Sequence, residues 1–108
     1  MSKIEIPFKQ RFRDVMLNET KIMTSRNKSY GEPGDTFDAF GATFKIKGIK
    51  QEKLENVALN FFFEEGCESP ADFMDIWKKL HPKKGWDPEQ LVWVHEFKKE
   101  AEQKKLEV

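Results

Sequence analysis

The apolar positions of this chain change period several times, and each change marks a new element. In KIEIPF, residues 3–8, Ile4 and Ile6 alternate with charged residues, the pattern of a strand with one buried face, and Pro7 confines it to an edge or terminal position. From Phe8 the spacing becomes helical. Phe8, Phe12, Val15 and Met16 fall on one side and Lys9, Arg11, Arg13 and Asp14 on the other, which predicts a helix ending near Asn18. Residues 21–26 carry Ile22, Met23 and two hydroxyl side chains without a helical stripe, so an extended segment follows. In a strand Thr24 and Arg26 share a face, and Lys21 joins them only from a bent position.

GEPGD, residues 31–35, is a turn signal: Pro33 presets the first central torsion of a type II turn and Gly34 takes the positive torsion of the second. A hairpin is expected next, with strands 36–40 and 42–49 around Gly41, and with Phe44 and Ile46 alternating against Lys45 and Lys47. Val57, Ala58, Phe61, Phe62 and Glu65 return to helical spacing before Gly66, a C-terminal cap candidate. Ser69, Pro70 and Asp72 announce another helix, whose buried stripe is Phe73, Ile76, Trp77 and Leu80. LVWVHEF, residues 91–97, reads as a central strand, and the polar run KKEAEQKKLEV after it as a frayed helix or disorder. Too few strands and helices alternate for a doubly wound parallel sheet. The expected class is α+β, one domain over residues 1–98 followed by a polar tail, 99–108.

Composition narrows this picture. A length of 108 residues supports one core, and ten Phe, three Trp and one Tyr supply it generously. Lys plus Arg and Asp plus Glu both total 19, so no global field draws the chain to nucleic acid or to an anionic membrane. With one cysteine and neither a signal-peptide run nor a spanning run, the expectation is a soluble cytoplasmic protein without a membrane partner. The 35% charged content, rich in Lys and Glu, fits a heat-adapted composition.

Candidate chemistry is sparse. His81 and His95 are far apart and no HxxxH or CxxC spacing exists, so no metal site is expected. His81 is read as the cap of its helix. Cys67, in the acidic run EEGCES, is expected to have a raised pKa and a packing role. Nothing matches a phosphate-binding glycine motif, and no cofactor is expected. The bases form two groups, Arg11, Arg13, Lys21, Arg26 and Lys28, then Lys45, Lys47, Lys50 and Lys53. These are either solvated faces or a phosphate-tracking groove with Tyr30 or Trp86 stacking on a base.

NETKIMTSR, residues 18–26, combines an amine, a hydroxyl and a guanidinium at a helix exit. It is open between a polar surface loop and a cleft. In a cleft, burial would lower the Lys21 pKa and let the amine take a proton from Thr24 or water. A carboxylate would complete the set, and Glu64 or Glu65 is the nearest candidate; Glu65 lies on the apolar stripe and needs a partner.

PFKQRFRDVMLNETK, the KxxTxR element from Lys21 to Arg26, YGEPGDTF, EEGCESPADF, WKKLHP and VWVHEF together make the chain resemble the ASCH domains, which have a PUA-like fold. That family usually places a Gly in a GxK sequence where Glu19 and Thr20 stand here. The resemblance implies a small mixed β-barrel with helices packed at its ends and a cleft lined by the KxxTxR element. It implies that RNA, a nucleotide or a nucleoside binds there; Lys21 and Arg26 would then be phosphate or base ligands, and Tyr30, able to stack on a base, joins Arg26 as a candidate ligand-binding residue. Some small members are amidohydrolases that deacetylate N-acetylated cytidine with a Lys, a Thr and a Glu. In that alternative Lys21 activates Thr24 or a water, and Glu65, matched with one residue gapped, passes the proton to the leaving amine.

Overall fold

The computed structural model describes residues 2–102. Five strands, β1 (Lys3–Ile4), β2 (Met23–Arg26), β3 (Thr36–Ala39), β4 (Ala42–Lys53) and β5 (Leu91–Glu102), form one sheet in the order β1-β3-β4-β5-β2. β1 is parallel to β3 and the other pairs are antiparallel. The expected α+β class and mixed sheet are observed. β1 and β2 remain as edges, so the sheet is not hydrogen-bonded into a closed barrel. Among the described residues no helix is long and apolar enough to cross a membrane.

A 3₁₀ turn, Gln10–Phe12, leads into α1 (Arg13–Leu17), as the spacing of Phe12 and Met16 predicts. The Glu32–Asp35 turn closes with Asp35 N–H donating to Glu32 O at 3.0 Å, and Gly34 takes φ 97°. At the β3–β4 hairpin Phe40 and Gly41 both have positive φ, the two-residue turn whose twist matches antiparallel strands. α3 (Pro70–Leu80) starts where expected, with the Ser69 hydroxyl accepting from Asp72 N–H at 3.0 Å. His81 caps its other end, donating its backbone N–H to Trp77 O at 2.9 Å.

Several expectations need correction. α2 (Leu54–Asn60) stops before Phe61, although the apolar stripe runs on to Glu65. Inside a helix a carbonyl is occupied by the residue four ahead, whereas Glu64 O accepts from Ile22 and Met23 N–H at 2.8 and 3.0 Å. Leaving the helix frees that carbonyl for the chain entering β2. Leu80, expected in the core, is 43% exposed on the last turn of α3. β4 runs past Ile49 to Lys53, and β5 past Phe97 to Glu102, where a frayed helix or disorder was expected. Residues 42–45 pair with 98–102, so backbone bonding sustains a strand whose outward side chains are polar. The rest of the expected tail, 103–108, lies outside the described residues.

β5 is buried on both faces, as its unbroken run LVWVHEF suggests. Val92 and Val94 face α2 and α3, joining Leu54, Val57, Ala58, Phe73 and Trp77 in one core. Phe97 faces the other way, with Phe12, Met16, Phe37, Phe44 and Ile46. A register shift between Ile46 and Gly48 rephases the alternation, so Ile49 lies opposite His95 on the Phe97 side.

Candidate functional site

α1 ends in a reversal that delivers Lys21. Glu19 takes φ 64°, the left-handed conformation usually given to glycine, and Lys21 N–H donates to Val15 O at 2.8 Å. This left-handed turn is made without a glycine. The Lys21 side chain then crosses Gly66, whose φ is +89°. A Cβ on Gly66 would stand 3.0 Å from both Cβ and Cδ of Lys21, so the lysine stem occupies the space a side chain would need.

Lys21 is 2% exposed. Its Nζ donates to Met23 O and Glu65 O, both at 2.6 Å, lies 3.6 Å from Glu65 Oε1, and stands 4.5 Å from the Phe12 ring centroid. Burial pulls its pKa below the ordinary value, and the Glu65 carboxylate opposes that shift. The two buried opposite charges compensate one another. The other Glu65 oxygen, Oε2, accepts from the Ser25 hydroxyl at 2.7 Å.

Thr24 and Arg26 share a face of β2, as strand alternation predicts, and Arg26 Nε donates to Thr24 Oγ1 at 3.1 Å. Arg26 Nη2 donates to Pro7 O at 2.6 Å, and its guanidinium carbon lies 5.0 Å from the Phe8 ring centroid and 5.7 Å from that of Tyr30. Ser25 belongs to the opposite face. Its backbone N–H and C=O share the orientation of those of Met23, which donate to and accept from groups off the β2 edge.

Beyond that edge a cavity of about 510 Å³ opens between residues 7–12, β2, the loop after it and α3. Phe8, Phe12, Tyr30, Phe73 and Trp77 give it aromatic walls. Thr24, Ser25, Arg26 and Glu65 bring polar groups to it, and Lys9 and Lys28, both exposed, stand at its rim. A space of this size with a few convergent polar groups suits a small organic ligand.

The structure brings Thr24, Arg26, Tyr30 and Glu65 to the cavity, and of the two glutamates it is Glu65 that is buried. Lys21 is behind the wall: it meets Glu65 but is not a lining residue. Trp86 packs in the core against Phe73, at 6.3 Å, and does not line the cavity. Cys67, buried, lines the cavity with its pKa pushed up to about 11, chiefly by desolvation rather than by its acidic neighbours. Among the described residues no cluster of three or more His, Cys, Asp or Glu could hold a metal ion. Most bases outside the cavity have acidic neighbours, Arg11 with Asp72, Arg13 with Asp14, Lys45 with Glu100, Lys50 with Glu52 and Lys53 with Glu89, the pattern of solvated faces. Ser25 and His95 were not singled out by the sequence. The signal for Ser25 is its odd-numbered place in a strand whose even face holds Thr24 and Arg26.

Compared by sequence, the chain matches no protein-family model and no curated protein. By structure it is similar to the hypothetical protein PH0355, with 15% identity and a TM-score of 0.70 over 92% of this chain and 99% of that one. It is similar to an ASCH domain from Lactobacillus crispatus, with 12% identity and a TM-score of 0.63 over 91% of this chain and 78% of that one. It is also similar to the protein PF0455 from Pyrococcus furiosus, with 14% identity and a TM-score of 0.61 over 90% of this chain and 96% of that one. At these identities the likeness is one of fold: the chain has an ASCH-like fold.

Proposed function

We propose that this chain binds a nucleobase-containing ligand, a nucleoside, a nucleotide or an RNA end, in the cavity beside β2. The observation that carries this reading is the union of aromatic walls with the buried Ser25–Glu65 pair in one space of about 510 Å³. Aromatic faces stack any base at about 1–3 kcal/mol each, while a carboxylate and hydroxyls select among base edges. Arg26, held by Pro7 and Thr24, and Lys28 place positive charge where a phosphate would enter.

Titrating the protein with cytidine, cytidine 5′-monophosphate and a short single-stranded RNA, followed by tryptophan fluorescence, tests this. Tyr30→Ala should weaken binding about tenfold through lost stacking. Arg26→Ala should weaken the phosphate-bearing ligands most and flatten their salt dependence. Binding unaffected by either change would place the ligand elsewhere.

A second reading, hydrolysis of the acetyl amide of N-acetylated cytidine, is favoured by the contact of the Glu65 carboxylate with Lys21 on one oxygen and a hydroxyl on the other. In it Lys21 takes the proton of Thr24 or of a water as that oxygen attacks the acetyl carbon, and the C–N bond breaks as Glu65 passes the proton to the amine. Where Thr24 has attacked, a water then hydrolyses the acetyl-threonine ester to release acetate. Two features weigh toward binding alone: Lys21 Nζ is engaged by two backbone carbonyls, and the hydroxyl bonded to Glu65 is that of Ser25 rather than Thr24. Release of acetate and cytidine, abolished by Thr24→Ala, would establish the hydrolytic reading. N-acetylated cytidine bound and recovered intact would remove it.

A further inference from the structure

His95 is fully buried on β5, beside the edge strand β2, and what its two nitrogens face determines their protonation. Tyr30 N–H donates to Nε2 at 2.9 Å, so Nε2 carries the lone pair. Nδ1 lies 3.2 Å from Thr24 O, which can only accept, so the ring proton is on Nδ1. One neutral tautomer therefore ties β2 to the loop that follows it. Each of those segments supplies a cavity wall, Thr24 from the strand and Tyr30 from the loop. The Tyr30 ring also lies 6.0 Å from the imidazole, edge to face.

We propose that His95 is a positioning residue of the cavity: its neutral, Nδ1-protonated form holds the Tyr30 wall in place for the ligand, and protonation of Nε2 releases that wall. The role in ligand binding rests on the nucleobase reading above. The coupling between His95 and the Tyr30 backbone does not.

The groups around the ring decide the direction. Burial is the largest influence and pulls its pKa below the ordinary 6.5; Arg26 of β2 acts the same way, while the contacts with the Thr24 and Trp93 backbone and the Glu65 carboxylate oppose it. Tyr30 is the titratable group facing it from the loop, and Ile49, opposite it on β4, is apolar. A proton on Nε2 would meet Tyr30 N–H donor to donor, so the closed arrangement binds that proton less well than a released one with an ordinary imidazole. Closure is complete above about pH 6.5 and weakens below it. Once proton uptake sets in, ligand affinity falls by up to about tenfold per pH unit, since one proton is coupled to one closure.

The test begins with the ligand-free, isotope-labelled chain in solution NMR. At neutral pH His95 should show the Nδ1-protonated tautomer, and the Tyr30 amide should be protected from exchange. On acidification that protection should be lost with the midpoint of the His95 titration. His95→Gln supplies a side-chain oxygen for Tyr30 N–H and does not titrate, so protection should persist independently of pH; His95→Leu should lose it throughout. In cytidine titrations the wild-type affinity should fall with acid and that of His95→Gln should stay flat. An Nε2-protonated tautomer, a Tyr30 amide indifferent to the His95 titration, or an unchanged acid slope in His95→Gln would overturn the proposal. If the NMR results hold and cytidine binds at no pH, the ligand reading falls and the His95–Tyr30 coupling stands.

Discussion

Around Phe37, Phe44 and Phe97 the rings of one core meet at centroid distances of 5.4, 5.3 and 5.5 Å, whereas the core beneath α3 reaches β2 at Met23 yet leaves about 510 Å³ open beside Phe73 and Trp77. Both draw on aromatic residues, but Phe37, Phe44 and Phe97 pack on one another and none of them lines the cavity, whereas Phe73 and Trp77 do. The margin of the open space holds a buried carboxylate, Glu65, 4% exposed, with Lys21, 2% exposed, behind it. Where packing is complete, burial supplies stability. Where it stops, the polar groups at the gap must be compensated in place, and Lys21, Glu65 and Ser25 compensate one another. In the proposed reading, a ligand fills what the chain leaves open.

The largest effect should come from the closed core. Phe44→Ala removes a ring that is 1% exposed and packed on both Phe37 and Phe97, which should cost about 3–5 kcal/mol in urea unfolding. Phe73→Ala, beside the cavity, should cost less, because that ring already faces open space on one side. Equal losses would mean that the two cores are equally well packed.

Next comes the buried pair. Lys21→Met strips the ammonium from Glu65 and from two backbone carbonyls and should cost about 3 kcal/mol. Adding Glu65→Gln removes the stranded charge and should restore a good part of that loss. A double variant no more stable than Lys21→Met would show that the pair is not coupled. The smallest effect should be at the turn carrying Lys21: Glu19→Gly relieves a left-handed torsion and should raise stability by about 1 kcal/mol, visible as a higher Tm.

How much of this was legible in the sequence follows from how local each signal is. Ser69 and Pro70 announce α3 because a cap needs only its own turn, and Gly41 marks the hairpin for the same reason. Glu65 was legible as an inward carboxylate from the spacing of Ala58, Phe61 and Phe62, although the helix carrying that spacing ends at Asn60. The extensions of β4 to Lys53 and β5 to Glu102 were not, since backbone pairing leaves no mark on side chains that face solvent. The partner of Glu65 was Ser25, 40 residues away, and the partner of Tyr30 was His95, 65 residues away. Such contacts exist only once the fold has placed β2 between β5 and the segment that carries Glu65.

The most direct test of the central claim is an NMR titration of the labelled protein with cytidine, reading intermolecular contacts to the bound base. The account predicts contacts from the rings of Phe8, Tyr30 and Trp77, with shift changes at Thr24, Ser25 and Arg26. Contacts confined to the Lys45 and Lys47 side of the hairpin, or no contacts at saturating cytidine, would contradict it.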